Sequence, residues 1–502
     1  MGEKKIAINI VAVYLKIAFN TIITLIATRL VLEQLGAEDF GLYNLLAGVI
    51  VMLSFLNGSL LISTQRFMSV AIGEGQTHKL TSIFNSSISI HVILSIFMTI
   101  VLLALQPVLI NNILNIETHL TATAHIVYDI MLLSAAFTLL QVPFSAAMYA
   151  HEDIYAWAIT EALNSFLRFM AAVVIAYFDS NKLEWYAVFM MLALLISFIT
   201  KYAWCKIRYK EIKFVAHELL SKPLIKEMIG FVGWNSLGSA SILVRDQGVA
   251  VLINIFYGTI ANAAYGIANQ VNGLAQVCAT TVTNVFAPSI MKQFGAGEIK
   301  KMMQTATLSS KVSFFISSLT SLPMLLLMSY ILKIWLKEVP DYTEEFCKLM
   351  IISSVVMQFT AGFNRVIYAT GQIKWYQISL IIILSSIIPV GYALLKLGFP
   401  PGAVLYGTIA GQIASAIATL YFCMKSIKYN LWTTLIHFIS IATAIFTVII
   451  ILTKRILLSV ETTPGLIVVV TAISMIVYSI VFFVTIFDKN EKNEIKSMII
   501  PK

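Results

Sequence analysis

The chain has 502 residues, of which 59% are hydrophobic and only 12% are charged, and its mean hydropathy is +0.87. A soluble globular domain carries charge on roughly a quarter of its residues, so these values exclude an ordinary soluble protein. The formal net charge of +9 does not call for a nucleic-acid partner, because a membrane protein collects Lys and Arg in its cytoplasmic loops.

Apolar runs long enough to cross a hydrocarbon core of roughly 30 Å recur along the whole sequence. Fourteen spans are predicted, at 6–32, 41–64, 82–110, 122–148, 154–177, 185–207, 224–255, 260–290, 306–336, 345–369, 375–397, 402–424, 433–453 and 464–487. The predicted fold is therefore an all-α polytopic membrane protein. Its predicted parts are an N-lobe of six spans (1–221), a C-lobe of six spans (222–430), two additional spans (431–487) and a cytoplasmic tail (488–502).

The two lobes are predicted to be copies of one another, because the same residues recur at a fixed separation. Gly36, Tyr43, Gly73 and Gly75 recur 222 positions later as Gly258, Tyr265, Gly295 and Gly297. The offset then falls by three, so that Phe144 and Tyr149 recur as Phe363 and Tyr368. Each copy has an even number of spans and enters the membrane from the same side, which predicts a pseudo-twofold axis along the membrane normal. Duplicated bundles of this kind are typical of secondary transporters.

The distribution of Lys and Arg predicts the orientation of the chain. Seven of the 34 basic residues lie between Lys201 and Lys226, in the loop between the two lobes and the span ends that flank it. Basic residues are enriched in cytoplasmic loops, so this loop and both termini are predicted to be cytoplasmic.

Catalytic machinery is missing from the sequence. There is no Walker motif, no dinucleotide fingerprint and no cluster of carboxylates and histidines at ligand spacing. We therefore expect no enzymatic activity, no catalytic residues, no metal and no cofactor. Energy for transport would come from an ion gradient, the membrane potential or the substrate gradient.

Polar residues on the eighth span recur at steps of three and four, which places them along one face of a helix. They are Asn262, Tyr265, Asn269, Asn272, Gln276, Thr280 and Thr283 or Asn284. Amides both donate and accept hydrogen bonds, which suits the hydroxyls of a sugar. The alternative is that these side chains join the helix to its neighbours, as polar residues in membranes often do.

Charged residues in the first and seventh spans are also candidates for a binding cavity. The seventh span carries Asn235, Arg245 and Asp246, and the first carries Lys16 and Asn20. Arg245 and Asp246 are adjacent, so they point about 100° apart on a helix and are expected to find partners on other helices. Lys16 with Arg245 would make a basic cavity for phosphate. A structural Lys16–Asp246 salt bridge is the alternative.

Charged residues of the fourth, fifth and tenth spans have a more structural interpretation. Glu161 and Arg168 share one face of the fifth span and predict an internal polar network, as does Asp129 in the fourth. Proton coupling through Asp129, Glu161 or Asp246 is the alternative. Arg365 lies close enough to a span end to snorkel towards the cytoplasm.

Several segments resemble polysaccharide biosynthesis membrane proteins, the O-antigen flippase-like branch of the multidrug/oligosaccharidyl-lipid/polysaccharide (MOP) exporter superfamily. They are RLVLEQLGAEDFGLY at 29–43, STQRF at 63–67, AHE at 150–152, GWN at 233–235, NAAYGIANQVN at 262–272 and PDY at 340–342. The resemblance implies two six-helix bundles whose first, second, seventh and eighth spans line a central cavity. It also implies a flippase that moves an oligosaccharide on polyprenyl pyrophosphate across the bacterial inner membrane by alternating access, for O-antigen or capsule. Basic cavity residues would bind the pyrophosphate and the amides the sugars, with H⁺ or Na⁺ as a coupling ion and polysaccharide assembly proteins as further partners.

Two other functions stay open. A MATE-type cation-coupled multidrug antiporter of the same superfamily would use a buried carboxylate and twelve spans. Lys16 and the fourteen predicted spans favour the polysaccharide branch, whereas Asp129 and Asp246 keep the antiporter open. A non-transporting scaffold of an envelope assembly complex would tolerate exchange of its polar cavity residues for apolar ones.

Overall fold

The computed structural model describes residues 3–51, 54–114, 116–215, 218–219, 221–336, 338–429, 432–459 and 464–493, and all regular structure among them is helical. The helices are α1 Glu3–Val51, α2 Ser54–Gly73, α3 Thr77–Val108, α4 Thr121–Leu140, α5 Val142–Ala150, α6 Ile154–Val174, α7 Lys182–Arg208, α8 Lys222–Gly295, α9 Ile299–Trp335, α10 Thr343–Gln358, α11 Ala361–Thr370, α12 Lys374–Lys396, α13 Gly402–Ile427, α14 Trp432–Ser459 and α15 Pro464–Ile486. Short π or 3₁₀ turns follow or precede them at Leu109–Ile113, Thr118–Leu120 and Ile175–Tyr177. The all-α prediction is confirmed.

Within these residues, eleven helices are long and apolar enough to cross a membrane, or twelve if the bent pair α10–α11 is one span. The prediction was fourteen. One difference arises at α8, whose 74 residues would measure about 110 Å at 1.5 Å per residue, several times the bilayer core. Helix α8 therefore contains both the seventh and the eighth predicted span. The predicted second span, 41–64, includes 52–53, which lie outside the described residues.

The chain divides into two compact units, Ile8–Ser236 and Leu237–Lys502 together with Met1–Ala7. In the first unit α2 packs on α5, and α7 packs on both α4 and α6. In the second unit α13 packs on α10 and α12, while α9 packs on α10 and α11. Helices α14 and α15 pack against each other and against α9.

The repeat is visible in the backbone. Gly36 and Gly258 interrupt α1 and α8 with the same non-helical conformation, φ 77° and ψ 172° in one, φ 76° and ψ −170° in the other. Both φ values are positive, in a region of backbone conformation that glycine adopts without the steric cost that other residues meet there. The residues that recur in the sequence thus occupy two equivalent breaks of the backbone.

The second pair of repeated glycines ends α2 and α8 in the same way. Gly75 and Gly297 have φ of 72° and 73°. The amide of Gly75 bonds to the carbonyl of Ile72 at 3.1 Å, and that of Gly297 to the carbonyl of Phe294 at 3.0 Å. Left-handed glycines that close the last turn are a common way to end a helix. The two turns therefore lie at equivalent positions of the sequence repeat.

A third repeated feature is a break within a span. Helix α4 ends one residue before Gln141, and α10 gives way to α11 at Thr360, the repeat equivalent of Gln141. The carbonyls of Gln141 and Thr360 each accept the amide four residues on, at 3.0 Å in both. The second break bends the α10–α11 span by 50°. Each unit therefore contains a helix that is interrupted at an equivalent depth.

Candidate functional site

The C-terminal unit encloses a cavity of about 490 Å³ between α8 and α10–α13. This volume lies within the range of roughly 300–1,000 Å³ that small-molecule sites occupy. Its polar lining residues are Ser239, Arg245, Asp246, Tyr265, Asn269, Asn272, Gln276, Thr280, Thr283, Ser353, Ser354, Gln358, Thr360, Asn364, Arg365, Tyr368, Tyr376, Gln377, Thr408, Gln412, Ser415 and Thr419. The cavity is thus built to hold a ligand with many hydrogen-bonding groups.

The predicted stripe on the eighth span forms one wall of the cavity. Tyr265, Asn269, Asn272 and Gln276 all line it, together with the hydroxyls further along the same face. Asn262 is half-buried and is not among the lining residues. Side chains three and four positions apart lie on one face of a helix, which is why the spacing alone identified this wall.

Arg245 and Asp246 also line the cavity, and they pair with each other. The Nε and Nη2 atoms of Arg245 lie 2.9 and 2.7 Å from Oδ1 of Asp246. The expectation that neighbours in sequence are too divergent to pair was wrong. It considered the directions of the Cβ atoms only, whereas the long Arg side chain carries its planar guanidinium back to the adjacent carboxylate.

Arg365 and Asn364 bring a second cation and another amide to the cavity from α11. The Nη2 atom of Arg365 donates to Oδ1 of Asn284 at 2.8 Å, and its guanidinium lies 5.8 Å from the ring of Tyr368. Nδ2 of Asn364 donates to the hydroxyl of Tyr376 at 2.7 Å. The sequence interpretation assigned Arg365 to the cytoplasmic interface. The break at Thr360 redirects the helix, and a pattern of spacing does not reveal that bend.

The charges of the lining do not cancel. Among the lining residues that the structure describes, the charged ones are Arg245, Arg365 and Asp246, two cations and one carboxylate. The carboxylate is already engaged by Arg245. Charges in a surrounding of low dielectric act more strongly than in water, so this imbalance favours an anionic ligand.

Three side-chain oxygens of the lining have no hydrogen-bond partner among the described residues. They are Oδ1 of Asn272, Oε1 of Gln358 and Oγ of Ser415. Gln358 and Ser415 are 1% and 7% exposed. A buried polar atom without a partner carries a desolvation cost, which a ligand that donates hydrogen bonds would remove.

Gly238 lets α12 approach α8 at the edge of the cavity. A Cβ on Gly238 would lie 1.9 Å from Oε1 of Gln377, a buried residue that lines the cavity. Nε2 of Gln377 donates in turn to the hydroxyl of Tyr368 at 3.4 Å. Because Gly238 has no side chain, Gln377 can occupy this space at the edge of the cavity.

The remaining predicted binding residues lie in the N-terminal unit. Lys16 places its ammonium 4.9 Å from the indole of Trp157. Oδ1 of Asn20 is buried without a hydrogen-bond partner in the described part of the chain, and Asn235 is 3% exposed. Their joint contribution to a central cavity stays a prediction.

Glu161 belongs to a polar network rather than to the C-terminal cavity. It pairs with Lys201 of α7, which is only 1% exposed and also donates to Oε1 of Gln141 at 2.7 Å. Asp129 accepts a hydrogen bond from Gln106 at 3.0 Å. Both carboxylates thus hold helices together, as the structural interpretation expected.

Arg168 lines a second cavity, of about 230 Å³, inside the N-terminal unit. Tyr43, Asn57, Met98 and Met131 also line it, and its surface is largely apolar. The two units therefore differ in chemistry although they share a repeat. The C-terminal cavity offers amides and guanidinium groups, whereas the N-terminal one offers mostly hydrocarbon.

Outside both cavities, Glu38, Glu117 and His119 lie together at the surface. Nε2 of His119 is 3.0 Å from Oε1 of Glu38. Their ligand atoms lie within 4.8 Å of one another, in a cluster that joins α1 to the turn before α4 and that sequence spacing could not show. All three are exposed, and exposed acidic groups of this kind are common without a metal.

Comparisons with known proteins find similarity in both sequence and fold. A model of the MatE family matches residues 236–393, which run from α8 into α12 and include most of the cavity. The uncharacterized membrane protein EpsK of Bacillus subtilis (strain 168) is 23% identical over 342 residues. That match covers 66% of this chain and 65% of EpsK, so less than two thirds of the relative is represented.

Solved structures agree over more of the chain. An outward-facing multidrug resistance MATE family transporter of the MOP superfamily matches with a TM-score of 0.71 and 14% identity, over 85% of this chain and 96% of that one. A MOP superfamily transporter from Pyrococcus furiosus, described as having a binding pocket of reverse polarity and a different function, matches with a TM-score of 0.72 and 14% identity, over 86% and 99%. At this identity the likeness shows the fold, which is that of MATE transporters.

Proposed function

We propose that this protein is a multi-pass exporter with the MATE fold that moves an anionic, polyhydroxylated substrate across a membrane. The observation that carries the proposal is the cavity of the C-terminal unit. Two guanidinium groups and one carboxylate line it, beside a wall of amides and hydroxyls. The excess of positive charge disfavours a cationic drug.

A lipid-linked oligosaccharide combines the two features that the cavity recognises. Its pyrophosphate carries negative charge, which guanidinium groups bind in bidentate fashion. Its sugar hydroxyls donate hydrogen bonds to acceptors such as Oε1 of Gln358 and Oγ of Ser415, which have no partner within the described structure. The proposed function is therefore flipping of polyprenyl-pyrophosphate-linked oligosaccharide for surface polysaccharide, in the inner membrane of a bacterium with both termini cytoplasmic.

Alternating access supplies the mechanism of this proposal. The two units Ile8–Ser236 and Leu237–Lys502 would move as two bodies while the substrate is bound in the cavity of the C-terminal unit, as the lobes of duplicated transporters do. Arg245 and Arg365 would hold the pyrophosphate while the amides of α8 orient the first sugars. A coupling ion, H⁺ or Na⁺, or the substrate gradient itself would drive the cycle.

A cation-coupled multidrug antiporter is the second candidate. The MatE match and the MATE structures support a MOP-type exporter, and they fit an antiporter at least as well as a flippase. Asp246 would then bind the coupling ion or a cationic drug. In the observed geometry its Oδ1 already accepts two N–H groups of Arg245, so a cation would compete with a guanidinium for this carboxylate.

One experiment separates the two candidates. In a deletion strain of the native host complemented with variants, surface polysaccharide and the lipid-linked intermediate are measured beside the accumulation of a fluorescent cationic drug. We expect Arg365→Ala and Arg245→Ala to abolish surface glycan and to trap the intermediate inside, at unchanged drug accumulation. The matched control is Lys396→Ala, which removes an exposed cation of α12 outside the cavity.

The opposite result would identify an antiporter. Normal glycan display in both Arg variants, together with raised drug retention in Asp246→Asn, would overturn the flippase proposal. A scaffold that does not transport would show neither effect, and Asn269→Leu with Gln276→Leu would leave surface glycan at its normal level. Protein amounts in the membrane are measured for every variant.

A further inference from the structure

The two C-terminal helices and the segment that follows them lie against the broken span that carries Arg365. We call α14, α15 and residues 488–493 the C-terminal brace. Three layers of contact join the brace to the cavity: an aromatic cluster, a buried ion pair, and a close approach between α9 and α11.

The aromatic cluster is centred on Phe314 of α9, which is 1% exposed. Its ring stacks on Phe359, with centroids 4.3 Å apart and 23° between the planes. Phe359 lies in the break between α10 and α11. Phe438 of α14 and Phe482 of α15 lie with ring centroids 6.0 Å from that of Phe314. The brace therefore contacts the break of the α10–α11 span in two ways, through the buried ring of Phe314 and directly, since the ring centroid of Phe438 lies 5.7 Å from that of Phe359.

The ion pair joins the end of the brace to α9. Nζ of Lys311 lies 2.8 and 2.7 Å from the two carboxylate oxygens of Glu491, and the side chains are 9% and 14% exposed. Asp488 and Glu491 fix each other reciprocally, because each accepts the backbone amide of the other, at 2.9 and 2.8 Å. This reciprocal pattern is a capping box, and it holds the Glu491 carboxylate in one orientation.

The third layer is the close contact between α9 and α11, the helix that carries Arg365. Oγ of Ser310, next to Lys311, accepts the backbone amide of Gly362 at 3.0 Å. A Cβ on Gly362 would lie 2.0 Å from the carbonyl oxygen of Ala306, so the two backbones are in direct contact. Arg365 follows Gly362 by three residues, on the next turn of α11, and lines the cavity.

We propose that the C-terminal brace positions Arg365, and that Glu491 is the positioning residue that holds the brace to α9 through Lys311. Removing the Glu491 charge leaves a buried ammonium without its carboxylate, an arrangement that packed helices relieve by moving apart. Loss of the contact at Lys311 would loosen α9 beside Ser310 and free the start of α11.

The test is amide hydrogen exchange of the full-length protein in lipid nanodiscs, without substrate, followed in peptides that cover 359–370. We expect Glu491→Gln to raise exchange there by about tenfold, since local opening sets the exchange rate of buried helices. Glu298→Gln is the matched control, because Glu298 forms an ion pair with Lys301 that is 49% and 60% exposed at the start of the same helix. The double variant Lys311→Glu with Glu491→Lys is expected to return exchange to the wild-type rate.

Two results would overturn the proposal. One is increased exchange in Glu491→Gln that stays within 488–493 while 359–370 are unchanged. The other is a double variant that folds but exchanges as fast as the single one. Should Glu491→Gln not fold, Phe482→Leu decides, because it keeps an apolar side chain at this position and removes the ring that faces Phe314. Unchanged exchange at 359–370 in Phe482→Leu would likewise contradict the brace.

The role of Arg365 as a substrate contact rests on the proposed function, whereas the exchange measurement does not. Faster exchange in Glu491→Gln with loss of surface glycan would support both. Faster exchange with normal glycan display would retain the brace and reject the substrate role of Arg365.

Discussion

Replacement of Gly362 by Ala is the sharpest test of how the C-terminal unit is packed. The added Cβ would lie 2.0 Å from the carbonyl oxygen and 2.9 Å from the carbonyl carbon of Ala306. Side-chain Cβ atoms essentially never approach a heavy atom closer than 3.0 Å, so α9 and α11 must separate by about 1 Å at this point. The obstacle is backbone, which no rotamer change relieves.

The magnitude follows from two opposing effects. Overpacking of this kind costs about 1–3 kcal/mol. Alanine in place of glycine within a helix returns about 0.5–1 kcal/mol. We therefore expect Gly362→Ala to lower the free energy of unfolding by about 1–2 kcal/mol, because the steric effect exceeds the gain in helix propensity.

Gly407→Ala provides the matched control in α13 of the same unit. A Cβ there would meet no atom within 4 Å, so only the gain in helix propensity applies. Unfolding of the two purified variants by denaturing detergent, measured beside the wild type, should move in opposite directions. A Gly362→Ala protein as stable as Gly407→Ala would refute the close approach of α9 and α11.

Three other predictions concern stability. Gly75→Ala and Gly297→Ala should each lower the free energy of unfolding by about 1–2 kcal/mol, and by equal amounts, from backbone strain alone, since both glycines have positive φ and open space around them. Clearly unequal losses in an unfolding titration would contradict the equivalence of the two turns. Glu161→Gln should destabilise the protein by about 3–5 kcal/mol, because it leaves Lys201 buried without its carboxylate. Adding Lys201→Met should recover most of that loss. A double variant no more stable than the single one would show that the loss of the ion pair is not the cause. Asn9→Ala should lower the free energy of unfolding by about 1–3 kcal/mol, because the fully buried amide of Asn9 forms hydrogen bonds with two backbone groups of the α5–α6 turn, at 2.8 and 2.9 Å. An unchanged melting temperature would argue against a stabilising role of these hydrogen bonds.

Much of the architecture follows from the sequence, because a bilayer leaves few alternatives. Long apolar runs become helices, since every backbone amide and carbonyl in lipid needs an internal partner. The repeated glycines Gly36 and Gly258 share one non-helical conformation, as two copies of one unit would. The polar residues of α8 that line the cavity share one helix face, because spacing of three and four determines which side chains lie together.

The composition of the cavity, by contrast, was decided by tertiary structure. Arg365 lines the cavity because the span bends at Thr360. The bend depends on the packing of α9 and the aromatic cluster against the span. Arg245 turns to Asp246 because a long side chain has several rotamers and takes the one that its surroundings stabilise. The ion pair of Lys311 with Glu491 joins residues 180 positions apart, which no local pattern encodes. Sequence periodicity fixes the face of each helix, and only packing between helices decides which faces meet.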